Sequence, residues 1–346
     1  MKPTLKHIAE ATGVSLATAS NALNNRKGVS EEVRSQVLRT AMELGYVKLP
    51  AAGRFLFRLI VFKRHGMVVG DTPFFSALIE GLERQSRSMG YDLAVSHTSA
   101  SEADRKECAE LLQTDHAEGF IVLATEMLPE DLDMLNRARS PVVLLDSRFR
   151  DCPFDSVLIN NTDAAYQATR HLVELGHRKI GYLHSSVYIN NFRDREMGYM
   201  LALCAAGLAP DAAYRYTLEP TLEGAYRDMC AALDQGGAPL RNGGLPTAFF
   251  ADNDIIAYGA MKALQERGVL LPDELSIVGM DDMPFCEMTH PRLTTVRVPK
   301  QEIGGLAIRR LVEKIQGDST VLTIETGTEL IRRESDQSPL TKNAQL

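Results

Sequence analysis

Within its first fifty residues the chain carries three short helical patterns, spaced so closely that only a small all-helical unit can hold them. Leu5, Ile8 and Ala9 fall on one face of a first helix. Gly13 then lets the chain reverse, and Ser15 caps a second helix whose Ala19, Ala22 and Leu23 turn inward. A third helix is marked by Ser30 as cap, Glu31 and Glu32 in the positively polarised first turn, Val33, Val37, Ala41 and Leu44 at helical spacing, and Gly45 as its stop. Two helices across a tight turn with a third behind them describe a helix-turn-helix, in which the start of the second helix meets base edges in the major groove. The outward face of that helix carries Leu16, Ala17, Ser20 and Asn21. Leucine and alanine suit thymine methyls, and asparagine suits adenine. A plain three-helix cap would share the periodicity, so charge separates the two readings. Residues 1–58 hold nine Lys/Arg against four acids, a net +5, whereas the whole chain is −7 and the remainder therefore −12. A polyanionic partner belongs to the N-terminus alone.

The 346 residues, 45% of them hydrophobic, can bury a large core and imply more than one domain. No apolar run approaches the roughly 18 residues of a membrane span, and the start reads as a capped helix instead of a secretory leader, so the expected compartment is the cytoplasm. Five cysteines are scattered without a Cys-x-x-Cys pair, which fits reduced thiols and gives no metal site. His171 and His177, six apart, fall on different helix faces and read as structural or surface residues. No cofactor motif is present, and none is expected to be needed.

After residue 58 apolar runs alternate with helical segments. Runs at 59–62, 92–96, 119–124, 142–146 and 156–159, with a helix from about Phe74 to Met89, read as one doubly wound parallel sheet. The rhythm restarts over 164–280, and late segments at 294–298, 303–315 and 321–330 return the chain to complete both sheets. Ligands of open α/β sheets sit beyond the carboxyl ends of the strands. That rule selects Asp146, Asp252, Asn253, Asp281 and Asp282, with Arg193 and Arg195 at the start of a following helix and Phe74 or Phe75 as an aromatic cover. Carboxylates, an amide and a guanidinium are the set that grips neighbouring hydroxyls of a sugar. Singly, each of these residues could equally cap a loop or bridge the lobes. Their joint placement favours binding.

These residues match a known pattern. The chain resembles the lactose/galactose repressor family of bacterial transcription regulators over almost its whole length. The resemblance rests on Thr4 to Asn24, Val29-Ser30, Leu44-Gly-Tyr46, His171-Leu-Val-Glu-Leu-Gly-His-Arg-Lys-Ile-Gly181, Arg193-Asp-Arg-Glu-Met-Gly-Tyr199, Asn253-Asp254, Gly259-Ala260, Gly279-Met-Asp-Asp282 and Pro291-Arg-Leu-Thr-Thr-Val296. It implies an N-terminal all-α helix-turn-helix head joined to a two-lobed α/β core like that of periplasmic binding proteins. It further implies a homodimer on a near-palindromic double-stranded operator, with base contacts from Leu16, Ala17 and Asn21 and phosphate contacts from Thr4, Ser15, Thr18, Asn24 and Ser30. A small effector, inducer or corepressor, is implied between the lobes on Phe75, Asp146, Arg195, Asn253 and Asp281.

The expected division is a head over 1–48, a hinge over 49–57, a core over 58–335 and a polar tail over 336–346. Within the core, the N-lobe takes 58–160 and 296–322, and the C-lobe takes 162–293 and 323–335. The hinge departs from the family: Leu49-Pro-Ala-Ala-Gly-Arg-Phe-Leu-Phe57 lacks the usual Pro-Asn and Ala-Arg, leaving Phe55 or Leu56 to enter the minor groove as the family's leucine does. The tail lacks apolar heptads, so a dimer is expected to be the final assembly. The function expected is an effector-responsive repressor of carbohydrate-utilisation genes. A purine-responsive regulator is the nearest alternative, and a transport or chemotaxis sugar-binding protein a more distant one. An enzyme using Asp281 and Asp282 as acid and base is disfavoured, since adjacent side chains point apart and no nucleophile elbow or phosphate loop accompanies them.

Overall fold

The computed structural model describes residues 4–23, 29–43, 55–70, 72–235 and 246–339. The head comprises Leu5–Thr12 (α1), Leu16–Leu23 (α2) and Glu31–Glu43 (α3). Gly13, at φ 70°, closes α1, and the Ser15 hydroxyl accepts the Thr18 N–H at 3.0 Å to open α2. Ile8, Ala9, Ala19, Ala22, Leu23, Val37 and Ala41 pack into one small core, as their spacing requires. Leu44, Gly45 and Asn24 lie outside the described residues.

The first lobe runs through Phe55–Lys63 (β1), Pro73–Ser88 (α4), Tyr91–Ser99 (β2), Glu102–Thr114 (α5), Gly119–Leu123 (β3), Val142–Leu145 (β4) and Asp155–Ile159 (β5). The second follows with Asn161–Glu174 (α6), Ile180–Ser185 (β6), Asn190–Ala205 (α7), Arg215–Leu218 (β7), Leu222–Gln235 (α8), Ala248–Ala251 (β8), Asp254–Glu266 (α9), Ser276–Asp281 (β9) and Thr294–Arg297 (β10). Lys300–Ile315 (α10), Thr323–Thr326 (β11) and Glu329–Ile331 (β12) end the described elements. Strand order is β11-β5-β4-β3-β1-β2 in one six-stranded sheet and β12-β10-β9-β8-β6-β7 in the other. The central strands β3, β4, β8 and β9 are buried at every position, the signature of parallel sheets covered on both faces.

Four expectations need correction. β10 pairs with β9 in the C-lobe sheet, and β11 pairs with β5 in the N-lobe sheet, so the chain crosses after Arg297 and again between Thr326 and Glu329, not at 296 and 323. The second sheet is not wholly parallel, because β12 runs antiparallel to β10. The hinge does not reach residue 57: Phe55 and Leu56 stand in β1, in register with Tyr91 and Asp92, and the Phe55 ring lies 5.7 Å from that of Tyr91. Entering a DNA groove would cost them this pairing, which removes them as minor-groove wedges; residues 49–54 lie outside the described residues. The polar tail also begins later than Asp336, because Asp336 accepts from the buried His171 ring at 2.6 Å and the Gln337 carbonyl pairs with His177 at 2.9 Å. Both histidines are structural.

α10 belongs to the first lobe, where it crosses α4 without side chains between the backbones. A Cβ on Gly304 would stand 2.4 Å from the Leu78 carbonyl oxygen, and one on Gly81 would stand 2.2 Å from that of Gln301. This close crossing places Lys300, at the start of α10, beside the cleft. No helix among the described residues is long and apolar enough to cross a membrane.

Candidate functional site

Where the two sheets present their carboxyl strand ends to each other, a narrow cavity of about 30 Å³ lies between the lobes. Phe75, Asp146, Arg195, Asn253 and Asp281 all line it.

Asp146 follows β4 at φ 61°, a left-handed conformation that turns it away from the strand. Its Oδ2 accepts the Thr125 hydroxyl at 2.7 Å, while Oδ1 is buried without a hydrogen-bond partner. Burial pushes this carboxyl up to about 6, against the opposing pull of Thr125 and Arg195. Asp281 closes β9 at φ 116°, and burial raises it too, partly offset by Arg195 and Lys300. Asn253 caps α9, its Oδ1 accepting the Ile256 N–H at 2.9 Å.

Arg195 is only 3% exposed. Its guanidinium donates to Asn161 Oδ1 at 2.9 Å, to Asp281 Oδ1 at 3.3 Å and to the Asp252 carbonyl, and it lies 5.6 Å from the centre of the Phe192 ring. Lys300 Nζ donates to the Asp281 and Asp282 carbonyls and lies 5.7 Å from the centre of the Phe74 ring. The two cations nearest the carboxylates are therefore already engaged by protein acceptors. At one edge of the cleft the lobes touch, Asn190 Nδ2 donating to Ser147 Oγ and to the Arg148 carbonyl, both at 3.1 Å.

The other strand-end candidates fall elsewhere. Asp252 accepts from the Tyr182 hydroxyl and, at 2.7 Å, from the Ser185 N–H, bracing the strands. Asp282 pairs with Arg297 and Arg333, both at 2.7 Å, and the exposed Arg193 pairs with its neighbour Asp194. Buried Asp254, pushed up to about 7 by burial and by Asp281, holds Thr295, Met283 and Cys286 together.

Sequence reasoning missed Thr125, Asn191 and Phe192 as lining residues. Applied to β3, the strand-end rule reaches Thr125, two residues past Leu123. Asn191 and Phe192 escaped because α7 begins at Asn190, ahead of the Arg193 and Arg195 that the sequence places at its start. On the head, Leu16 is 50% exposed, Ala17 is exposed and Asn21 is half-buried, so the start of α2 offers an apolar and amide surface. The exposed Ser15 hydroxyl pairs with that of Thr18 at 2.8 Å, Ser30 accepts the Val33 N–H, and the Thr4 N–H donates to the His7 ring.

Two stretches of the chain match known families. Residues 4–48 match the description "Bacterial regulatory proteins, lacI family", and residues 169–335 match a periplasmic binding protein-like domain. The HTH-type transcriptional repressor PurR of Mannheimia succiniciproducens is 31% identical over 338 residues, covering 96% of this chain and 98% of its own. The ribose operon repressor of Haemophilus influenzae is 29% identical, covering 90% and 92%. Among solved structures, the transcriptional regulator CelR in complex with cellobiose superposes with a TM-score of 0.72 at 26% identity, covering 96% of this chain and 99% of that one.

Proposed function

This chain belongs to the lacI family of bacterial regulatory proteins, and on that premise we propose that the cavity between its lobes takes a small neutral polyhydroxyl effector that controls its hold on operator DNA. The chain is a DNA-binding transcriptional repressor with a ligand-binding core. The observation carrying the effector reading is the unpartnered Asp146 Oδ1, a buried acceptor lining the cavity. Leaving such an atom unpaired costs about 1–3 kcal/mol, which a donor on a ligand recovers. Asp281 offers a second carboxylate from the opposite lobe, so the ligand needs donors on two edges, as every hydroxyl-bearing sugar has. A phosphate would meet two carboxylates and only engaged cations.

A purine base is the second reading, favoured by the Phe74, Phe75 and Phe192 rings that line the cavity and by the PurR relatives. A thermal-shift screen against monosaccharides, polyols, disaccharides, sugar phosphates and purine bases separates the two. A rise with a neutral sugar or polyol that disappears in D146N is the expected result. A rise with purines alone selects the second reading, and stabilisation by sugar phosphates only would sink the first.

At the head, we assign base contacts to Leu16, Ala17 and Asn21, and phosphate contacts to Thr4, Ser15, Thr18, Asn24 and Ser30. Exposed hydroxyls beside helix starts supply donors that fix register without reading sequence. A homodimer acting in the cytoplasm, with two α2 helices in successive major grooves, is the assembly this reading requires. Asn21→Ala is expected to lose about 1–3 kcal/mol of discrimination between operator and a mismatched site while nonspecific binding changes little. Equal losses on both DNAs in a titration at fixed salt would remove Asn21 from the base-reading set.

A further inference from the structure

Beside the cavity lies a buried carboxylate that the effector reading does not use. Glu126, three residues beyond β3, accepts five backbone N–H groups from the segment that follows β1. Its Oε2 takes those of Arg64, His65 and Gly66 at 2.8, 3.0 and 2.9 Å, and its Oε1 takes those of Val68 and Val69 at 3.0 and 2.8 Å. Burial by itself pushes the carboxyl up, yet the His65 ring and these donors outweigh it and bring it down to about 2. A loop of this kind is folded around an internal anion.

The same short segment builds the cavity. Thr125, adjacent in the chain, holds Asp146 from within it, while Asp131 takes the Arg64 guanidinium. The clamped loop carries Val68 into the cavity wall, and Thr72, Phe74 and Phe75 follow directly. We propose that Glu126 is a positioning residue of the effector cavity, the internal anion that folds the 64–69 loop so that Val68, Thr72 and the two phenylalanines stand against the ligand. The proposal rests on the reading of the cavity as the effector site.

Hydrogen exchange of the full chain tests it. In E126Q an amide NH2 faces N–H donors, so the amides of residues 64–69 are expected to exchange roughly tenfold or more faster, with a larger effect in E126A. Excess formate should restore part of the protection in E126A, because a small carboxylate can re-enter the ring of donors; simple loss of packing would not respond to it. Unchanged protection in both variants, or protection lost in E126A and untouched by formate, overturns the proposal.

Binding is read by the melting-temperature rise with D-ribose and with hypoxanthine as probes. Loss of the wild-type response in E126A and its return with formate support the proposal, and a response equal to that of the wild type overturns it. D146N keeps the two ideas apart, since it should abolish the ligand response while leaving exchange of the loop as in the wild type. A wild-type protein that answers neither probe counts against the effector reading, and loop exchange with formate then decides the role of Glu126.

Discussion

Arg195→Ala is expected to abolish the effector response, lowering ligand affinity by about a hundredfold or more, equivalent to roughly 3 kcal/mol. The guanidinium spans Asn161, Asp281 and the Asp252 carbonyl, and so ties α6, β8 and β9 together at the cavity wall. Its removal leaves three buried acceptors without their donor and lets Asp281 turn. Arg195→Lys should recover little, because a point ammonium cannot serve three acceptors in a fixed fork. The variant also has a pH signature. Arg195 holds down both Asp146 and Asp281, whose carboxyls burial has already raised, so losing it raises them further. A carboxyl raised in the folded state binds more protons there than in the unfolded chain, so stability falls as pH rises through the window between the two values. R195A should therefore lose more stability relative to wild type at about pH 7 than at about pH 5. Calorimetric titration with the ligand found by the thermal-shift screen checks the first outcome and melting against pH the second. A folded R195A that binds with wild-type affinity would move the effector site elsewhere.

The second large effect concerns stability. Arg310, on α10, is 2% exposed, and its Nε donates to buried Asp155 at 2.9 Å. Its remaining nitrogens reach Glu313 at 2.8 Å, Asp318 at 2.6 Å and the Thr320 carbonyl at 2.5 Å. One side chain thus fastens the start of β5, the end of α10 and the turn leading into β11. Arg310→Ala removes the guanidinium and leaves Asp155 buried with Lys314, 3.2 Å away, as its remaining cation. Breaking a buried pair from one side costs about 3–5 kcal/mol, mainly through the charge left behind. R310A should unfold at correspondingly lower urea, with the operator-reading head unaffected in sequence preference. If the stranded charge is the chief cost, D155N combined with R310M should be more stable than R310A. A double variant no better than the single one would instead assign the cost to lost packing and lost anchoring of the turn.

Much of this was legible in the chain as written. The three head helices follow from apolar residues three and four apart and from hydroxyl caps, which act within one or two turns. The alternation of strand and helix follows likewise from local periodicity, and the strand-end rule reached Asp146, Asn253 and Asp281 because strand termini are marked by nearby sequence. What the local pattern could not decide was which strand-end residues share the cavity. Where the chain leaves a strand, adjacent residues part company, so Asp281 lines the cavity while Asp282, at φ 50°, joins Arg297 and Arg333, and Asn253 lines it while Asp252 braces Tyr182.

The departures have one origin. Phe55 and Leu56 look like hinge residues until pairing with Tyr91 and Asp92 makes them strand, and Thr323–Thr326 belongs to the first lobe because it pairs with a strand begun at Asp155. Glu126 is unremarkable in sequence, being one acid after a buried strand, until the backbone of residues 64–69 closes around it. Most element identities and most of the chemically able residues were determined by the sequence alone, since both depend on neighbours a few residues away. Sheet membership, the crossing points between lobes and the choice of residues that face the ligand were decided only by the tertiary structure, because backbone pairing and burial bring together groups that lie tens to hundreds of residues apart.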